Sequence, residues 1–258
     1  AASLANAMED IQKDFNQKYP DVEIFYNADS SGTLQTQIEE GSRCDIFFSA
    51  ATKQMDALVE EKLAKEESVV NLLENKVVLI KTKDTETRVT GFENITEAEN
   101  LALAGEDVPV GQYAREIFTN LDIMDQVEAM EINEGKNVTE VLAAVTQGSN
   151  EVGVVYATDA ASVADQVEII AEASSDMLET PVLYPVGMIE DEEALPEEKV
   201  AAETFFEYLQ TENALKVFEE HGFSPYTAEV EDTQADQKTD SEAEETGEAS
   251  TEQEKTAE

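Results

Sequence analysis

Residues 30–48, SSGTLQTQIEEGSRCDIFF, carry the pattern that decides the fold. Ser30 to Thr33 lead into a helical pattern from Leu34 to Glu40, and Gly41 is placed to end that helix. The nearly continuous apolar stretch from Cys44 to Phe48 predicts a buried β-strand. A helix that leads directly into a buried strand is typical of α/β proteins, in which helices cover a sheet.

The preceding segment has the same order of elements. Apolar residues recur there at helical spacing, at Leu4, Met8, Ile11 and Phe15. Ser3 lies just ahead of them and is predicted to cap the helix. Val22 to Phe25 predicts a short strand. Because a strand is also expected before Ser3, we expect the sequence to begin a few residues inside the domain.

Two α/β units are predicted along the chain. A helix near Lys53 to Lys62 completes the first unit, as in βαβ units that cover a parallel sheet. Lys76 to Lys81 forms the next strand, and Val182 to Ile189 crosses back before the amphipathic helices Pro196 to Leu209 and Glu212 to Glu220. The elements predicted between them are strand Leu101 to Ala104, loop Glu106 to Gly111, helices Gln112 to Leu121, Ile123 to Ala129 and Val138 to Gln147, and strands Val152 to Tyr156 and Val167 to Ile170.

The composition indicates a folded, strongly acidic protein. The chain has 258 residues, of which 41% are hydrophobic, and 59 acidic against 16 basic residues give a net charge of -43. Such a charge repels nucleic-acid phosphates and anionic lipid headgroups, so neither is an expected partner. No apolar run reaches the ~18 residues that would predict a membrane-spanning helix.

The C-terminal stretch differs in composition from the rest. Glu229 to Glu258 contains 12 acidic residues and 2 lysines, with no aromatic residue. A segment of this composition has too little apolar surface to form a core. We therefore predict a disordered acidic tail over residues 227–258.

Residues suited to catalysis are few. The one histidine, His221, is placed to end a helix, and Cys44 is the only cysteine. Neither the phosphate loop GxxxxGK[ST] nor the fingerprint GxGxxG occurs. Acidic runs such as Glu190 to Glu193 are typical of solvated surface, although the number of carboxylates leaves a two-carboxylate hydrolase open. We expect no enzyme activity and no cofactor.

Small hydroxyl residues at predicted helix starts suggest a different chemistry. Ser3 and Ser31 lie where helical N–H groups have no partner along the chain, and such groups hold anions without reacting with them. For either serine taken alone, ordinary helix capping is the favoured interpretation.

Five blocks of sequence, in the same order, resemble the periplasmic molybdate-binding proteins of ABC importers. The blocks are Ala1-Ala2-Ser3-Leu4, Ser30-Ser31-Gly32-Thr33-Leu34, Cys44-Asp45-Ile46-Phe47-Phe48-Ser49-Ala50, Val108-Pro109-Val110-Gly111-Gln112-Tyr113-Ala114 and Gly153-Val154-Val155-Tyr156. The resemblance extends from Ala1 to about Tyr226. It implies an α/β, type II periplasmic-binding-protein fold with two α/β domains and a ligand cleft between them. Residues 1–76 and 184–226 would form domain I, and residues 77–183 would form domain II.

The resemblance also implies the site. Its oxyanion contacts fall on Ser3 and Ser31 in the first domain and on Val110, Val138 and Tyr156 across the cleft. The protein would bind molybdate or tungstate through these residues, close around it and deliver it to the permease of an ABC importer. It would be a monomer outside the cytoplasmic membrane, in the periplasm or lipid-anchored at the extracellular face.

Two other functions stay open at the level of sequence. The first is a binding protein for sulfate, phosphate or another tetrahedral oxyanion in the same superfamily. The second is an adhesion or surface module in which the serines serve only as helix caps. The sequence does not rank molybdate against tungstate, because the two anions have nearly the same size and charge.

Overall fold

Two β-sheets with helices packed against them form the fold of residues 1–191 and 193–227, the part of the chain that this computed structural model describes. Numbered along the chain, the strands are Ile46–Phe48 (β1), Val70–Asn75 (β2), Val77–Thr82 (β3), Leu101–Ala104 (β4), Ile132–Gly135 (β5), Val152–Tyr156 (β6), Val167–Glu172 (β7), Val182–Met188 (β8) and Ser224–Pro225 (β9). The α-helices are Ala5–Lys18 (α1), Ser31–Glu39 (α2), Thr52–Glu60 (α3), Pro109–Asn120 (α4), Met124–Glu128 (α5), Val138–Thr146 (α6), Ala157–Ser162 (α7), Pro196–Leu209 (α8) and Glu212–Glu220 (α9). Short 3-10 turns span Ala2–Leu4, Glu66–Ser68 and Phe92–Glu97.

The first sheet has the strand order β1-β8-β2-β9, and all of its pairs are antiparallel. The expectation of a parallel sheet in this part of the chain was wrong, because β1 pairs with the distant strand β8. The predicted strand Val22 to Phe25 was also wrong: the segment makes no ladder bonds, and Phe25 is 87% exposed. Helices α1, α2, α3, α8 and α9 pack on this side of the molecule.

The second sheet has the order β5-β4-β6-β3-β7. Strand β4 is parallel to both β5 and β6, whereas β3 is antiparallel to β6 and β7. Helices α4, α5 and α6 connect the parallel strands, so the βαβ units lie in this half of the chain, within the predicted second α/β unit. Hydrophobic patterning does not reveal β5, since it is an edge strand whose residues Asn133 and Glu134 are exposed.

The chain passes between the sheets at two joints. Strand β2 ends at Asn75 and β3 begins at Val77, so Lys76 alone links them. The return lies between β7 and β8, so the strand predicted to cross back, Val182 to Ile189, belongs to the first sheet alone. The division of the chain into domain I (1–76 and 184–226) and domain II (77–183) stays a prediction. Strand β8 runs across the predicted domain boundary at residue 183.

Aromatic side chains bind the terminal helices to the first sheet. Phe218 of α9 packs edge-on against Phe48 of β1 at 5.8 Å between ring centroids and against Phe223 at 6.0 Å. Phe205 of α8 meets Phe15 of α1 at 4.9 Å. The predicted packing of the last two helices onto the first unit is confirmed. The predicted disordered tail, 227–258, lies outside the described residues except for Thr227, and no described helix is long and apolar enough to cross a membrane.

One buried carboxylate caps α7, the short helix that follows β6. Asp159 accepts a hydrogen bond from the backbone N–H of Tyr156 at 3.2 Å. Burial raises the pKa of Asp159 from 3.8 to about 7, and the bond from Tyr156 offsets only part of that rise. The folded protein therefore binds a proton at this position more tightly than the unfolded chain does.

This shift predicts a pH-dependent stability. Because the pKa of Asp159 is higher in the folded state, its contribution is fully present below about pH 4 and is lost as the pH rises through about 7. Asp159→Asn keeps an acceptor for the Tyr156 N–H and removes the charge. Urea unfolding from pH 5 to pH 8 should show the variant gaining stability over the parent as the pH rises.

The matched control is Asp165→Asn, which removes one negative charge from an exposed position on the same side of the molecule. Its unfolding free energy should stay nearly parallel to that of the parent across the pH range. A constant gap between Asp159→Asn and the parent would contradict the raised pKa.

Candidate functional site

One cavity brings all five predicted site residues together. It lies between the helices of the two sheets, and its lining residues are Ala1, Ala2, Ser3, Ser30, Ser31, Ala50, Val108, Pro109, Val110, Val138 and Tyr156. The empty space around these residues is about 210 Å³, a figure that includes open solvent at the mouth, so the cavity itself is smaller. Even this upper bound is below the ~300–1,000 Å³ of pockets for drug-sized organic molecules. Only a small ligand fits.

The N-terminus of α2 contributes Ser31 to the cavity. The cap of this helix is Ser30, whose Oγ accepts the Thr33 N–H at 3.1 Å. Ser31 is therefore the first helical residue, with a backbone N–H that has no partner within the helix. Its Oγ accepts the Ala50 N–H at 3.0 Å, so the hydroxyl proton is free to point into the cavity.

Ser3 reaches the cavity in a different way from the one predicted. The 3-10 turn Ala2–Leu4 runs directly into α1, so that Leu4 occupies the cap position and Ser3 lies inside the turn. The expected capping role of Ser3 was therefore wrong. Its Oγ lies 2.9 Å from the hydroxyl oxygen of Tyr184.

Two helix N-termini from the second-sheet side face these serines. Helix α4 begins at Pro109, earlier than the predicted start at Gln112, because proline is suited to the first helical position. Val110 thereby falls in the first turn, where its N–H lacks a helical acceptor. Val138 is the first residue of α6, and the Asn137 side chain caps that helix by accepting the Glu140 N–H at 3.0 Å.

Tyr156 adds a hydroxyl at the end of β6. The residue is only 2% exposed, and among the described residues its hydroxyl oxygen has no hydrogen-bond partner. Burial raises the pKa of Tyr156 well above its ordinary value of 10, which keeps the phenol protonated. A buried, unpartnered O–H at a cavity wall is available as a donor to a ligand.

The electrostatic character of the cavity comes from backbone groups. No Lys, Arg, His, Asp or Glu side chain lines it. The first turns of α2, α4 and α6 and the 3-10 turn before α1 all contribute lining residues, and each brings the partial positive charge of a helix N-terminus. Such an arrangement favours an anion and offers it N–H and O–H donors without a carboxylate acceptor. Within the described residues, no group of three His, Cys, Asp or Glu side chains could hold a bare metal ion.

Three contacts join the two sides around the cavity, and we call them the rim contacts. Asn137 donates from Nδ2 to Asp29 Oδ1 at 3.1 Å, and Gln54 donates from Nε2 to Gln112 Oε1 at 3.2 Å. The third is a backbone approach, since a Cβ added at Gly32 would overlap the carbonyl oxygen of Asp107.

Sequence reasoning did not identify the rim residues or Tyr184. The partners in each rim pair are separated by 58 residues or more in the chain. Hydrophobic periodicity reports only on neighbours within one element, so no local signal marks these pairs.

The comparisons with known proteins agree with this geometry. Residues 1–224 match the family model described as bacterial extracellular solute-binding protein. The chain is 41% identical to YvgL of Bacillus subtilis, provisionally assigned as an ABC transporter substrate-binding lipoprotein, over 87% of this chain and 84% of that protein. It is 34% identical to the molybdate-binding protein ModA of Haemophilus influenzae, over 87% of both chains.

A solved structure supports the same assignment. The substrate-binding domain of a provisionally assigned molybdenum ABC transporter from Clostridium difficile superposes with a TM-score of 0.65, at 35% identity over 88% of this chain and 96% of that one. The expected α/β, type II periplasmic-binding-protein fold is confirmed. Proteins of this family and fold bind solutes and are not enzymes, as expected. The chain belongs to the bacterial extracellular solute-binding proteins, in the family of the molybdate-binding protein ModA.

Proposed function

We propose that this protein captures molybdate or tungstate in the cavity and delivers it to the membrane permease of an ABC importer. Ser3 and Ser31 would hold the anion from one side, and Val110, Val138 and Tyr156 would hold it from the other. The observation that carries the proposal is a small cavity lined by unpaired N–H and O–H donors without any ionised side chain.

The donor set suits a fully ionised tetrahedral anion. Each oxygen of such a dianion can only accept hydrogen bonds, and the N–H and O–H donors of the cavity suit all four. A protonated oxyanion such as hydrogen phosphate also needs an acceptor, and the lining has no carboxylate to provide a strong one. Hydrogen bonds to a charged group contribute about 1.5–3 kcal/mol each, so several of them support tight capture.

The relatives support molybdate among the tetrahedral oxyanions. The names of the Haemophilus influenzae relative and of the Clostridium difficile neighbour refer to molybdate and molybdenum. Tungstate is included because its size and charge are close to those of molybdate, and a donor cage of fixed radius does not separate them. Sulfate is smaller, so the same cage would hold it less well.

Capture between two sides requires the cleft to close and reopen. The rim contacts provide the closed arrangement, since they form only when the two sides meet around the cavity. A ligand that bonds both sides favours this arrangement, and the permease would recognise it. We place the protein as a monomer outside the cytoplasmic membrane, in the periplasm or anchored at the outer face, in keeping with its extracellular family.

Calorimetric titration of the protein with molybdate, tungstate, sulfate and phosphate tests this function. Molybdate and tungstate should bind with similar high affinity, and sulfate and phosphate should bind more weakly. If sulfate bound most tightly, the protein would be a sulfate-binding protein of the same superfamily instead. Binding of none of the four would refute the anion-binding function.

The hydroxyl of Ser31 provides a direct test of the site. Ser31→Ala should weaken molybdate binding by about 1.5–3 kcal/mol, or roughly tenfold to a hundredfold in Kd, because one charge-assisted hydrogen bond is lost. Calorimetry measures the change. Ser42→Ala, at an exposed position outside the cavity, is the control and should bind as the parent does. If Ser31→Ala and Ser42→Ala bound molybdate with equal affinity, the Ser31 hydroxyl would not be a ligand contact.

Cleft closure can be tested at Gly32. In Gly32→Ala the new methyl group would overlap the Asp107 carbonyl only when the rim is closed, so molybdate affinity should fall by about tenfold or more. The free energy of unfolding without ligand should hold or rise slightly, since alanine favours the helix. Thr36→Ala, on the exposed face of the same helix, is the control. Unchanged affinity in Gly32→Ala would show that binding does not require the closed rim.

A further inference from the structure

A buried tyrosine lies directly behind Ser3, outside the lining of the cavity. Tyr184 of β8 is fully buried, and its hydroxyl oxygen lies 2.9 Å from Ser3 Oγ and 3.1 Å from Asn75 Nδ2. Its ring packs edge-on against Tyr156 at 5.7 Å and Phe223 at 5.3 Å between centroids. The ring therefore has a packing role, whereas the hydroxyl belongs to a separate hydrogen-bond chain.

The orientation of the Asn75 amide decides which groups donate and which accept in this series of hydrogen bonds. Asn75 Oδ1 accepts the backbone N–H of Lys76 at 2.8 Å, and a backbone N–H can only donate. The amide nitrogen must then face the other way, where it donates to Thr158 Oγ1 at 2.9 Å and to the Tyr184 hydroxyl. Both protons of this nitrogen are used.

The same direction of hydrogen-bond donation continues from Tyr184 to Ser3. Because Asn75 donates to the Tyr184 oxygen, the single Tyr184 proton is left for another acceptor, and Ser3 Oγ is the one acceptor at hydrogen-bond distance among the described residues. The reverse direction would leave the Tyr184 proton without an acceptor in a fully buried place, which is costly. Ser3 thus accepts from Tyr184, and its own proton is free for the cavity.

We infer that Asn75 and Tyr184 are positioning residues that orient the Ser3 hydroxyl as a donor toward the bound anion. The inference rests on the proposed function, and it assigns a task to two buried residues that do not line the cavity. Asn75 also joins the two sides of the site. It lies beside Lys76, the joint between the sheets, and its bond to Thr158 holds the turn that follows Tyr156.

A double-mutant cycle for molybdate binding tests this inference. Tyr184→Phe keeps the ring and removes the hydroxyl, and Ser3→Ala removes the final donor. Each single variant should raise the Kd by about tenfold or more, as expected for the loss of an oriented bond to a charged group. The double variant should bind within about threefold of Ser3→Ala, because Tyr184 acts only through Ser3.

Controls separate orientation from packing. Tyr208→Phe removes a tyrosine hydroxyl from α8, away from the cavity, and should bind as the parent does. Circular dichroism and thermal unfolding establish that each variant is folded. If Tyr184→Phe does not fold, Asn75→Ala enters the same cycle in a Thr158→Val background, where the bond from Asn75 to Thr158 is already absent. In that background it acts only through Tyr184 and should show no added loss when Ser3→Ala is also present.

Two results would overturn the inference. One is a Tyr184→Phe protein that binds molybdate as the parent does. The other is a double variant whose loss equals the product of the two single losses, which would make the Tyr184 effect independent of Ser3. Both require a parent that binds molybdate. A parent that binds none of the four oxyanions would instead refute the proposed function.

Discussion

The unpaired N–H groups at the starts of helices are the constraint on which the rest of this structure depends. Every α-helix leaves its first N–H groups without partners, and burying such groups is costly unless something accepts from them. Three helix starts and a 3-10 turn meet at one cavity here, and the capping residues Ser30 and Asn137 satisfy only the third N–H of their helices. The proposed anion would complete the hydrogen bonding that the fold leaves open.

This local chemistry explains how a very acidic protein could hold the proposed anion. The net charge of -43 acts at long range, where salt screens it beyond about 8 Å. Inside the cavity the nearest groups are oriented N–H and O–H dipoles, and carboxylates are absent from its lining. Fixed neutral donors also need no counter-ion and release the ligand without breaking an ion pair. The site is therefore compatible with capture followed by transfer.

The buried hydrogen bonds of Asn75 are important because this residue lies between the two sheets. Asn75 lies next to Lys76, the single residue between β2 and β3, and bonds both to Thr158 beside Tyr156 and to Tyr184 beside Ser3. The rim residues Asp29 and Asn137 connect the same two sides at the surface of the cleft. A ligand that contacts both sides is thus linked to the same contacts that hold the sides together.

The sequence alone determined the α/β class, a second α/β unit after the first, the terminal helices and, through five blocks of family resemblance, five of the residues that line one cavity. These follow from local patterns and short motifs, which the chain carries along its length. Only the tertiary structure decided that the first sheet is antiparallel, that Val22 to Phe25 is not a strand, that α4 begins at Pro109 and that Ser3 bonds Tyr184 instead of capping a helix. Each of these depends on a partner far away in sequence or on how a turn packs, and no local pattern contains that information.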